Sequence, residues 1–229
     1  MSEPQTRIVT FLFTDVEGST RLWEADPRAM SAALAKHDAL LSAAITDAGG
    51  TVFKTAGDAF CAVFPHPAGA VAAAVAAQRA QAAEVDPPIA PLKVRMAVHT
   101  GPAETRGGDY FGPPLNRVAR LLATAHGEQV VVSRAASELL RDALPSDLTL
   151  RDLGEHALKD VQHAERVFQV AAPGLRADFP PLRTPRQLLR NVPTPATPLI
   201  GREQEAALAR AFLGLLPADH ESASSSLDD

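Results

Sequence analysis

The chain has one cysteine, one tryptophan and one tyrosine in 229 residues. A single Cys61 excludes an internal disulfide framework and fits a reducing compartment. It lies in the apolar run "DAFCAVF" and reads as a small core residue rather than a nucleophile. There is no excess of basic charge. The net charge is −5, so no electrostatic footprint for nucleic acid is present. No apolar run approaches the roughly 20 residues that span a bilayer, and the start "MSEPQTR" is no signal peptide. These features place the protein in the cytoplasm, with no membrane partner. No Gly precedes a Lys, which excludes a P-loop, and the histidines show no zinc spacing with Cys61. His99, ending an apolar run, reads as a core or edge residue, and Trp23 as packing the first helix on a sheet. No internal repeat occurs.

What is present is an alternation of strands and helices. "IVTFLF" reads as a buried strand, followed by a helix ending at Gly49-Gly50. "TVFK" and "AFCAVF" flank the turn "TAGD", and an alanine-rich helix begins near Pro67. "PLKVRMAVHTG" alternates as a half-buried strand, and a helix runs from about Leu115 to near Gly127. "EQVVVS", "RAASELLRDAL" and a closing pair of strands complete residues 1–172. The expected fold is α+β, a ferredoxin-like βαββαβ sandwich with helices on one face and extra C-terminal α and β elements. Residues 173–198 are rich in proline and read as an extended linker. Residues 199–229 read as a short helix followed by a disordered tail.

Three stretches carry chemistry. In "FTDVEGST", Asp15 ends the strand just before Gly18, Ser19 and Thr20, where a turn and helix start gather N–H groups. Asp15 either caps that helix or holds a cation between itself and a phosphate. In "FKTAGDAF", Gly57 allows a sharp reversal and Asp58 sits at it. If the hairpin pairs beside the first strand, the two carboxylates meet and repel unless protonated or bridged by metal. Oxygen ligation suits Mg²⁺ or Mn²⁺, and a metal pair suits in-line displacement at phosphorus. The bland alternative is two unrelated turn aspartates. In "GDYFGPPLNRVARL", Asn116 and Arg120 stand four apart and share a helix face. Arg can neutralise a phosphoryl oxygen and Asn can hold a sugar; a merely solvated face is the other reading.

With these three motifs in order, the chain from Arg7 to Val170 resembles the class III nucleotide cyclase catalytic domain. More narrowly, it is similar to the bacterial adenylate cyclase domains placed ahead of an ATPase module in multidomain regulators, and "NVPTPATPLIGREQEAALARAFL" looks like the entry to that module. The resemblance implies that Asp15 and Asp58 bind two divalent cations, Mg²⁺ or Mn²⁺, and that Val16, Glu17, Gly18, Ser19 and Thr20 wrap a triphosphate. It implies that Lys54 and Asp109 select adenine, that Asn116 and Arg120 orient the ribose and stabilise the transition state, and that Lys159 binds the triphosphate. It also implies a homodimer with shared sites that converts ATP to 3′,5′-cyclic AMP and pyrophosphate for signalling. The competing expectation is a weak or inactive nucleotide-binding or dimerisation module that keeps the fold. A diguanylate cyclase or polymerase palm would leave Asn116 and Arg120 without a role.

Overall fold

The computed structural model describes residues 5–84, 87 and 89–184. By its contacts the chain divides into Met1–Asn191 and Val192–Asp229, and the second unit lies outside the described residues. The same is true of most of the proline-rich stretch and of the helix and tail expected over 199–229.

The elements are β1 (Gln5–Val16), α1 (Ser19–Ala25), α2 (Pro27–Asp47), β2 (Thr51–Ala56), β3 (Ala59–Phe64), α3 (Pro67–Ala82) and β4 (Val94–Arg106). They continue with β5 (Asp109–Phe111), α4 (Pro113–Thr124), β6 (Val130–Ser133), α5 (Arg134–Leu140), β7 (Thr149–His156) and β8 (Glu165–Ala171). One eight-stranded sheet runs in the order β2-β3-β1-β4-β6-β8-β7, with β5 added to β4. Among the described residues only β4 and β6 pair in parallel; the other pairs are antiparallel. This is the mixed α+β sandwich that the strand and helix order predicts.

Local chemistry sets the helix limits. Asp26 caps α2 by accepting from the N–H groups of Arg28 and Ala29 at 3.0 and 2.9 Å, and Pro27 opens the first turn. At the other end Gly50 lies against Phe64; a Cβ there would come within 2.3 Å of the ring, so a larger residue would force the helix exit off the sheet. Gly112 precedes α4 with φ 124°, and Pro113 and Pro114 follow it.

Successive residues of the central strand β1 feed two cores. Leu12 joins Phe60, Ala62, Phe64, Met96 and Val98 beneath α2, α3 and α5. Phe11 turns the other way and packs with Val63, Ala97, Val131 and the α4 residues Val118 and Leu121. The helices therefore do not all lie on one face: α4 covers the opposite side, because its apolar stripe faces Phe11 rather than Leu12. For the same reason β4 is buried without a break from Met96 to Gly101 between the two cores instead of half buried. Trp23 does not pack on the sheet either. It is 37% exposed, since α1 is a short surface helix with no buried residue. The hairpin Arg106–Asp109 that makes β5 carries no strand signal in the sequence, because three residues are too few to show a period. Among the described residues no helix is long and apolar enough to cross a membrane.

His99 is buried, as expected, and its Nδ1 shares a hydrogen bond with Ser133 Oγ at 2.8 Å. Burial, with the Arg117 charge adding to it, pushes His99 from 6.5 down to about 4. The folded protein thus refuses a proton that the unfolded chain accepts between those values. Stability is full above about pH 6.5 and falls as the pH drops toward 4, by on the order of 3 kcal/mol for this group. Urea unfolding between pH 4 and 7 measures this slope, and His99→Gln is expected to flatten it.

Candidate active site

The carboxyl end of β1 and the β2–β3 turn lie together. The register places Thr14 opposite Phe60, so the turn at Gly57–Asp58 reaches just past the end of β1. Asp58 Oδ2 accepts the Val16 N–H at 2.9 Å, which ties its carboxylate to the residue after Asp15. Asp15 faces Arg95 across the β1–β4 pairing, and its Oδ2 accepts from Arg95 Nε and Nη2 at 2.8 and 2.5 Å. It does not cap α1. That helix starts at Gly18, whose φ of 73° bends the chain out of β1, and no side chain among the described residues caps it. Ser19 and Thr20 thus enter the helix rather than cap it.

Two further charged residues belong to this corner. Arg95 interrupts the apolar strand "VRMAVHTG", the one local sign that it has a partner. Asp38, on α2, has a buried Oδ1 with no hydrogen-bond partner among the described residues. Burial raises its carboxyl, His37 opposes that, and the nearby Asp58 charge raises it further. Asp38 and Asp58 are therefore near enough to repel.

The donor set fits hard cations. Asp15 and Asp58 each keep a second oxygen clear of other hydrogen bonds among the described residues, and both offer oxygen alone. No group of three or more His, Cys, Asp or Glu converges to hold a metal among the described residues. The two carboxylates thus leave most coordination positions for oxygens from elsewhere.

The other sequence-predicted residues form two further groups. Lys54 pairs in register with Cys61 on β3, and Cys61 in turn with Phe13. Burial raises the Cys61 thiol, Lys54 draws it down and Asp109 raises it again, so both charges stand around that sulfur. Lys54 is exposed and makes no ion pair among the described residues. Asp109 turns its Oδ1 to the Tyr110 N–H at 2.8 Å, and Tyr110 packs edge-on against Phe53, the neighbour of Lys54, with centroids 5.0 Å apart. On α4, Asn116 is exposed, and Arg120 Nη2 donates to Asp160 Oδ2 at 2.7 Å. Asp160 follows Lys159 in an exposed turn, so Arg120 meets the turn that carries Lys159.

The fold defines the class: an α+β domain of the nucleotide cyclase type. The chain belongs to the adenylate and guanylate cyclase catalytic domain family, which its residues 1–171 match. It is 40% identical over 205 residues to an uncharacterised protein of Mycobacterium tuberculosis, covering 88% of this chain and 70% of that protein. It is 31% identical over 226 residues to a receptor-type adenylate cyclase of Trypanosoma brucei brucei, covering 80% of this chain but 18% of that one. A solved structure of adenylate cyclases from Trypanosoma brucei in their monomeric state superposes with a TM-score of 0.68 at 28% identity, covering 78% of this chain and 95% of that one.

Proposed function

We propose that the protein is an adenylate cyclase that converts ATP to 3′,5′-cyclic AMP and pyrophosphate. The observation that carries the reading is the Val16 N–H to Asp58 hydrogen bond, which joins both aspartate turns at the start of α1. When bound there, two divalent cations, Mg²⁺ or Mn²⁺, would lower the pKa of the ribose 3′-hydroxyl and neutralise phosphate charge. Asp15 and Asp58 are the residues that would hold them.

Within the turn from Val16 to Thr20, the Gly18, Ser19 and Thr20 N–H groups at the helix start bind phosphate, since the Val16 N–H is held by Asp58 and the Glu17 N–H by the Lys93 carbonyl. Arg95, beside Asp15, adds a cation at the same corner. Lys54 donates to adenine N1 and Asp109 accepts from the exocyclic amine, a pattern that guanine reverses. Asn116 orients the ribose. Arg120 leaves Asp160 and takes up charge at the α-phosphate as the 3′-oxygen attacks in line and pyrophosphate leaves; Lys159 takes up charge on the leaving group.

A homodimer with shared sites follows from the same reading. Phe11, Phe13, Phe53 and Tyr110 make edge-to-face contacts on the α4 side of the sheet, with Phe13, Phe53 and Tyr110 only half buried. A second copy covering this face would bring its Lys54 and Asp109 groups toward a partner. The proposal includes a cytoplasmic bacterial setting ahead of a regulatory ATPase module, supported by the single cysteine and by the 199–229 sequence.

The test is product identification after incubation with ATP or GTP, each with Mg²⁺ and Mn²⁺. Cyclic AMP and pyrophosphate from ATP are expected, with little or no product from GTP. A cyclic product from GTP alone would overturn the adenine assignment; none from either nucleotide would overturn the activity.

A further inference from the structure

The proline-rich residues 173–184 do not run free of the domain. The chain turns at Gly174, with φ 80°, and Gln169 Nε2 then donates to the Ala177 carbonyl at 2.7 Å. The Phe179 ring stacks on His126 with centroids 6.4 Å apart and carries the Arg176 guanidinium 4.7 Å from its centre. His126 Nε2 donates to the Pro181 carbonyl at 3.1 Å, and Arg183 N–H donates to the Thr124 carbonyl at 2.9 Å. Leu182 is buried in the α4 core.

This strap ends on the candidate phosphate turn. The Arg183 guanidinium ion-pairs with Glu17 Oε1, and Gly127 N–H donates to Glu17 Oε2 at 3.2 Å. The Glu17 N–H is itself held by the Lys93 carbonyl at 2.8 Å. Glu17 stands between Val16, which holds Asp58, and Gly18, which starts α1.

We propose that Arg183 is a positioning residue for the triphosphate: the strap holds Glu17 against Arg183 and Gly127 and neutralises its charge within the phosphate turn. The inference rests on the cyclase reading and deepens it. An unpaired carboxylate in this turn repels the nucleotide and competes for the N–H groups that would bind it. Displacing residues 173–184 therefore weakens ATP binding while leaving the chemical step in place.

The test uses the full chain with Arg183→Ala, Arg183→Lys, Glu17→Gln and the double variant. Arg183→Ala is expected to raise KM for ATP roughly 5-fold with kcat within about twofold, near the upper end for a partly exposed ion pair. Arg183→Lys is expected to recover part of the loss, and Arg183→Ala to have no further effect in the Glu17→Gln background. Leu182→Ala, which loosens the strap without touching the ion pair, is expected to raise KM in the same direction. An unchanged KM in Arg183→Ala, a fall in kcat alone, or additive effects in the double variant would overturn the proposal. If the wild-type chain makes no cyclic nucleotide, the cyclase reading fails by itself. Calorimetry of Mn²⁺–ATP binding then decides the strap: weaker binding by Arg183→Ala supports it, and equal affinity overturns it.

Discussion

Asp58→Ala and Asn116→Ala, each silent as a homodimer, are expected to recover activity when mixed. Asp58→Ala removes one of two carboxylates available to cations and frees the Val16 N–H, so a loss on the order of 10³ or more in turnover is expected. Asn116 lies exposed on α4, where it can serve a neighbour's site. In a shared-site dimer the mixed species gathers both lesions in one site and leaves the other intact. Equal mixing makes half the dimers mixed, each with one of two sites working, so about a quarter of wild-type activity should return. A pyrophosphate-release assay on the mixture measures it. Continued silence would mean that one chain builds its own site, and the half-buried aromatic face would then need another explanation.

Arg120→Ala is expected to lower kcat by about 10²–10³ with a smaller change in KM, by analogy with removal of one oxyanion donor. The ground state supports this separation. Arg120 pairs with Asp160 in an exposed contact, a weak tie that costs little to exchange for a phosphoryl oxygen. Arg120→Lys keeps a charge but loses the planar fork, so it should recover only part of the rate. Circular dichroism melts of both variants check the fold, and little change is expected, because the side chain is partly exposed and its ion pair lies at the surface. Equal kcat for Arg120→Ala and wild type would remove this residue from the transition state.

Much of the fold was legible where neighbouring residues carry the signal. Gly49-Gly50 ends α2, Gly57 turns the β2–β3 hairpin, and Pro67 starts α3. Asp15 and Asp58 stood out because each interrupts an apolar strand at a turn. Other features were invisible for physical reasons. β5 is three residues long and exists only through its pairing with β4. The face taken by α4 depends on which of Phe11 and Leu12 meets its stripe, and either choice satisfies the same alternation. Trp23 carries an apolar payload that suggests burial, yet α1 has no core to reach. Proline density suggested an extended linker over residues 173–198 without deciding whether it docks; over 173–184, Leu182 and Phe179 supply the apolar contact that docks it.

By itself the amino-acid order determined the kinds of residue at each turn, the helix limits and the separate groups of charged side chains, because these follow from interactions within a few positions. Only the folded chain decided that Arg95 meets Asp15 across 80 positions and that Arg183 meets Glu17 across 166. Such partners are chosen by sheet register and by the route of the strap over the α4 core, which no local propensity encodes.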